Sequence, residues 1–98
     1  MKAAHSARNV QESALQRKII AYLRGRGAYV FKAVGSAYQQ VGTPDLLVCW
    51  HGRFIGLELK IPGMDATPMQ EHEIHKIREA GGCGVVITSV KDLEVILG

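Results

Sequence analysis

Thr43-Pro44-Asp45-Leu46-Leu47-Val48-Cys49-Trp50-His51-Gly52-Arg53-Phe54-Ile55-Gly56-Leu57-Glu58-Leu59-Lys60 is the stretch that decides the fold. It reads as two adjacent β-strands joined by a tight turn. Leu46, Leu47 and Val48 leave almost no polar residue inside the first run, which predicts a strand buried on both faces. His51-Gly52 suits a short hairpin connection, because glycine tolerates positive φ. In the second strand a side-chain period of two places Phe54, Gly56, Glu58 and Lys60 on one face. Ile55, Leu57 and Leu59 fall on the other. A carboxylate and an amine two residues apart in an apolar strand are expensive to bury without a task or a partner. Asp45 enters the neighbouring strand just behind Pro44, so the hairpin brings two carboxylates and a lysine to one end of a small sheet.

That set suits a hard cation. Magnesium takes oxygen ligands, typically one or two carboxylates, with water and phosphate oxygens filling the other positions. An ammonium beside the ion can orient a water or oppose charge on a phosphate. The plain alternative is an aspartate that starts a strand behind a proline, plus a surface Glu/Lys pair on an edge strand.

The chain has 98 residues, 47% hydrophobic and 21% charged, which predicts one thin globular domain over residues 1–98. A domain of this size buries a limited core, so pairing with a second copy would help it. The net charge of +3 is a mild basic excess, compatible with nucleic acid. Cys49 and Cys83 are isolated within apolar runs and read as reduced, buried thiols, not as a disulfide or zinc framework. No apolar run approaches a membrane span and the N-terminus lacks a signal-peptide core, so the expected setting is cytoplasmic.

Residues 1–8 are polar and expected to fray. Asn9 can cap a helix over 10–26, with Leu15, Ile19, Ile20 and Leu23 as its apolar stripe. Glu12 sits on that stripe at its N-terminal end, although Asn9 and Glu12 also have capping-box spacing. Residues 28–34 are strand-like, with Lys32 interrupting them. The Gly-bounded segment 35–42 leads directly to Asp45 and has the composition of a substrate-contacting loop. After Lys60, Thr67 caps a second helix with Pro68 in its first turn. Ile74 and Ile77 form its stripe, and Gln70 lies on the same face while also having capping-box spacing to Thr67. His72 and His75 are three apart, not the four of a His-Glu-x-x-His zinc site, and read as surface residues. A buried strand over 83–88 and a short amphipathic helix over 91–97 close the chain. The order is helix, three strands, helix, strand, helix, which implies a mixed four-stranded sheet flanked by helices, with a crossover between the third and fourth strands.

Glu12 on the first helix, Asp45 and Glu58-x-Lys60 on the hairpin, and Gln70 at the start of the second helix resemble, in this order, the PD-(D/E)XK nuclease superfamily. The Glu-bearing helix and the Gln after Glu-x-Lys are most similar to its virus-type replication-repair nuclease (VRR-NUC) family, over residues 9–88. The resemblance implies a restriction-endonuclease-like α-β-β-β-α-β core in the α/β class, and cleavage of DNA phosphodiesters with Mg2+ or Mn2+. It implies that Asp45, Glu58 and the carbonyl of Leu59 bind the ion, and that Glu12 holds a second ion or its water. Lys60 would orient the attacking water or oppose charge at the phosphate, and Gln70 would position Lys60 or a water. Family members act on branched or flapped DNA, and stand-alone viral ones resemble dimeric junction resolvases, so branched DNA and a homodimer are expected. A sequence-specific restriction-type enzyme and a non-catalytic DNA-binding module are the alternatives. A chain this short leaves little room for a base-reading element.

Overall fold

The computed structural model describes residues 2–33 and 41–98, with side chains from residue 7 onward. Its elements are α1 (Lys2–Gly25), β1 (Tyr29–Lys32), β2 (Leu46–Trp50), β3 (Arg53–Leu59), α2 (Pro68–Glu79), β4 (Cys83–Ile87) and α3 (Val90–Leu97), in the expected order. The strands lie in the order β1-β2-β3-β4. The first two pairings are antiparallel and β3 runs parallel to β4, so the sheet is mixed and α2 makes the crossover. His51 (φ 50°) and Gly52 (φ 76°) both adopt left-handed backbone at the β2–β3 turn, as the tightest hairpin connection requires.

The two faces of the sheet are covered differently. On one face, Ile19 and Leu23 of α1 and Leu93 and Leu97 of α3 pack on Leu46, Val48, Ile55, Leu57 and Ile87 to form the core. On the other, α2 lies over β3 and β4, where Gly56 and Gly84 pair across the strands. A Cβ at Gly56 would come 2.6 Å from Ile77 Cδ1, and one at Gly84 would come 2.7 Å from the Ile74 carbonyl oxygen. The absence of side chains there lets the helix sit against the sheet backbone. Thr67 caps α2 with Pro68 at its start, as expected.

Several expectations need correction. The first helix starts at Lys2, not Val10. Alanines 3, 4 and 7 favour helix and nothing before Asn9 breaks it, so Asn9 lies inside the helix and caps nothing. Of the expected strand over 28–34, β1 covers Tyr29–Lys32 and Ala28 and Ala33 fall outside it, while residue 34 lies outside the described residues. Of the expected loop over 35–42, residues 35–40 lie outside the described residues. β2 is buried on its core face only, because α2 stops short of it: Leu47 is half-buried and Cys49 exposed. Both cysteines are free thiols, but Cys49 is exposed and Cys83 half-buried, where buried thiols were expected. Among the described residues no helix is long and apolar enough to cross a membrane.

At the pole of the turn, Arg26 ties three elements together. Its guanidinium donates to Tyr22 Oη at 2.7 Å and to the Gly98 carbonyl oxygen at 3.1 Å. It also lies over the rings of Tyr22 and Trp50. Trp50 Nε1 donates back to the Arg26 carbonyl at 3.3 Å, and Arg53 Nη1 to the Ile96 carbonyl at 3.4 Å.

The tight approach at Gly84 has a measurable consequence. Gly84→Ala sets a methyl against backbone that cannot swing aside, so it should lower unfolding free energy by about 1–3 kcal/mol. Gly25→Ala, with open space around it, should leave stability unchanged or raise it by up to about 1 kcal/mol. Urea unfolding followed by circular dichroism checks both.

Candidate active site

The hairpin register builds the site. Leu46 pairs with Leu57, so the next residues out, Asp45 and Glu58, face each other on the α2 side of the sheet. Asp45 Oδ2 accepts the Leu59 backbone amide at 2.9 Å. Glu58 is only 2% exposed. Its Oε2 accepts from Gln70 Nε2 at 3.0 Å, with Lys60 Nζ farther off at 3.9 Å. Its Oε1 is buried with no hydrogen-bond partner among the described residues.

Such a carboxyl resists ionising. Burial, then the Asp45 carboxyl held close beside it, push Glu58 up from 4.5 to about 8; Lys60 opposes this and Glu12 adds slightly to it. Two carboxyl groups hydrogen-bond to each other only by sharing a proton, and once both ionise they repel unless a cation lies between them.

Gln70 caps α2 and also reaches the acidic set, where its partner is Glu58, not the Lys60 or water that the resemblance implied. Its backbone amide donates to Thr67 Oγ1 at 3.2 Å, and its Oε1 accepts from the Thr67 amide at 2.8 Å, completing a capping box. The remaining side-chain group, Nε2, is the donor to Glu58. Glu12 reaches the site from α1 and lines a cleft of about 180 Å3 with Ser13, Gln16, Asp45 and Leu59. The fold thus brings together all five candidates, Glu12, Asp45, Glu58, Lys60 and Gln70. His72 and His75 stay on the outer side of α2, where His75 Nε2 lies 3.4 Å from Glu79 Oε1.

The donor set fits a hard divalent ion. Glu58 Oε1 lacks a donor, Asp45 stands opposite, and the nearby ligands are oxygens. Among the described residues no three His, Cys, Asp or Glu side chains close on one point. An ion here would keep several positions for water or phosphate, as magnesium does.

Three further residues shape the site. Ser13 and Gln16 line the cleft beside Glu12; Gln16 is one turn on from Glu12, a spacing that marks the same helix face. Gly42 (φ +87°) is pressed on the first turn of α2: a Cβ there would come 2.5 Å from the Met69 carbonyl oxygen and 3.2 Å from the Gln70 amide nitrogen. No spacing rule in the sequence flags that contact.

No protein-family model matches the chain. The curated protein "Putative nuclease p44" of Acyrthosiphon pisum secondary endosymbiont phage 1 is 32% identical over 91 residues, which span 92% of this chain and 95% of that protein. A solved structure described as a VRR_NUC domain matches with a TM-score of 0.75 at 26% identity, covering 89% of this chain and 94% of its own. The chain belongs to the VRR-NUC family of nucleases. A second VRR_NUC domain protein has a TM-score of 0.69 at 19% identity, covering 89% of this chain and 84% of that one. The Holliday junction resolvase Hjc of Archaeoglobus fulgidus has 0.61 at 15%, covering 79% and 67%. At those identities the last two are similar in fold, and they place the VRR-NUC chain in the restriction-endonuclease-like architecture.

The raised Glu58 pKa makes the stability of the metal-free VRR-NUC chain depend on pH. The folded state keeps a proton that the unfolded state releases above about 4.5. This contribution is therefore full below that value and is lost as pH rises toward and past about 8. In chelator, the melting temperature should fall between pH 6 and pH 9, and Glu58→Gln should flatten that fall. Calorimetry across the range reads it; an unchanged slope in the variant would place the titrating group elsewhere.

Proposed function

We propose that the chain is a divalent-cation-dependent DNA nuclease that hydrolyses phosphodiester bonds in branched, flapped or four-way-junction DNA. The observation that carries this reading is Glu58: a buried carboxyl with one oxygen unpaired among the described residues, held against Asp45, which lines the cleft. A structural ion pair would have satisfied both of its oxygens. The nuclease p44 relative supports phosphodiester chemistry, and the Hjc neighbour, itself a Holliday junction resolvase, gives a precedent for branched DNA on this fold.

Asp45, Glu58 and the Leu59 carbonyl would hold Mg2+ or Mn2+, with Glu12 across the cleft holding a second ion or its water. A bound divalent ion supplies charge neutralisation at the phosphate and a more acidic water. Glu58 gives up its proton for this, so cation affinity rises with pH. Lys60, 15% exposed at the rim, opposes negative charge developing on the phosphate or orients the attacking water. Gln70 keeps the Glu58 carboxyl turned toward Asp45 through its bond to Oε2. No observation favours the restriction-type or the non-catalytic alternative. A homodimer in a cytoplasmic setting belongs to the same proposal. Size argues for pairing, and Val10 on α1 and Val95 on α3 are 65% and 83% exposed, on the two helices expected to make the contact.

Cleavage of linear, flapped and four-way-junction DNA with magnesium, manganese or chelator is the test. Cleavage of branched substrates is expected with either ion and none with chelator. Asp45→Asn and Glu58→Gln should abolish it while leaving fold and DNA binding intact. Gln70→Ala should slow it at least about tenfold and also cost about 0.5–2 kcal/mol of stability, because one side chain serves both cap and carboxyl. Undiminished cleavage by the Asp45 or Glu58 variant would sink the assigned site. Sedimentation at micromolar concentration should give a dimer; a monomer making single nicks would remove the resolvase reading alone.

A further inference from the structure

The side of the sheet that carries the site does not end at the carboxyl groups. Paired residues share a face, so the register arranges this side in rows. Asp45 and Glu58 occupy the first row, and Ala33, whose amide donates to the Asp45 carbonyl, extends it onto the end of β1. Phe31, Leu47 and Gly56 form the second, and Tyr29, Cys49 and Phe54 the third. Because α2 packs on β3 and β4, no described element covers the outer half of these rows. Tyr29 is 68% exposed, Phe31 54% and Phe54 47%. Tyr29 and Phe31 lie on the edge strand β1 beside the chemistry, and Phe54 on β3, two strands in, ends the same row as Tyr29.

We infer that Phe31 and Tyr29, with Phe54 behind them, form a stacking platform for unpaired nucleobases of a strand that passes through the active site. The inference rests on the nuclease reading and adds a binding site to it. Rows two residues apart on a strand are about 6.7 Å apart. That is about twice the 3.4 Å step between stacked bases of a duplex strand. Rings at this spacing do not match a stacked duplex, but they do match bases splayed along an extended single strand, whose flat faces are free to stack. The second row is one step from Asp45, so a base on Phe31 would belong to a nucleotide next to the scissile phosphate. Lys76, paired with Glu73, stands on α2 beside Phe54 and gives the platform a cationic margin for phosphates, whereas Lys32 pairs with Leu46 and belongs to the opposite face.

A second copy of the chain suits this face less well. The exposed aromatic area is on the order of 300–400 Å2. A stable protein interface takes about 800 Å2 from each partner. The face is narrow, and it continues into the Asp45–Glu58 carboxyl pair, not into more apolar surface.

The test is binding in chelator, where cleavage cannot intervene, using a blunt duplex and the same duplex with a single-stranded overhang carrying 2-aminopurine at the junction. The wild-type protein should prefer the overhang substrate, with 2-aminopurine fluorescence quenched on binding. Phe31→Ala should weaken overhang binding by roughly five- to 150-fold, the range for loss of one stacked base, and abolish the quench, with blunt-duplex affinity unchanged. Phe31→Trp should restore both, and His75→Ala, exposed on the outer side of α2, should change neither. Equal losses on both substrates, or a retained quench in Phe31→Ala and Tyr29→Ala, would overturn the platform. So would a change in sedimentation with no change in overhang preference, which would make the face a contact between copies. Those results would leave wild-type cleavage of DNA in magnesium standing, whereas a wild-type protein that neither binds nor cleaves DNA would remove the nuclease reading as well.

Discussion

The hydrogen bond from the Leu59 amide to Asp45, one step beyond the Leu46–Leu57 pair, is the contact on which the site depends. It locks the start of one strand to the end of its neighbour and leaves Asp45 facing Glu58. Two carboxyl groups at that separation, one of them out of reach of water, are unfavourable for a folded protein of this size. The core face offsets the penalty: Leu46, Leu57 and Ile55 are fully buried directly behind the acidic row. A one-residue slip of either strand would move that strand's acid to the core side and its buried leucine or isoleucine side chains away from it, so apolar burial and site geometry enforce the same register.

The second helix completes the arrangement through a single side chain. Gln70 spends its backbone amide and its Oε1 on the helix cap and its Nε2 on Glu58. The capped turn and the carboxyl are therefore one rigid unit. Close packing of α2 over Gly56 and Gly84 sets how far that turn stands from the sheet, and Gly42 sets how near the backbone ahead of Asp45 can come to it. Small residues at these three places control the distance between two functional groups without touching either.

How much of this was legible in the sequence depended on whether the signal was local. The hairpin, the α2 cap and the acidic set follow from adjacent residues: Pro44-Asp45, Glu58-x-Lys60, Thr67 with Gln70. Two readings of Gln70, as cap and as neighbour of the acidic set, seemed exclusive but are not, because an amide side chain has two ends. The start of α1 was misjudged since Asn9 can cap a helix, yet it sits within one whose alanine-rich first turns continue past it. The exposure of Cys49 and of the aromatic rows was hidden for a different reason. An apolar strand with β-branched and aromatic residues reads as buried on both faces, and only the placement of α2 over β3 and β4 shows which columns it leaves open. Gly42 and Gly84 carry no pattern at all; their meaning lies in what a methyl group would strike.

The Arg26 contacts give α1 the character of a lever. Its last turn is clasped to Trp50 and to the end of α3, and Ile19 and Leu23 anchor its second half in the core. Glu12 projects from the other half, 14 positions before Arg26, which at 1.5 Å per residue is about 21 Å from the fulcrum. A rigid tilt of about 5° at the clasp would carry Glu12 through about 2 Å. The width of the cleft in front of Asp45 is thus geared to an angle set at the opposite pole of the molecule, by a guanidinium resting on two rings.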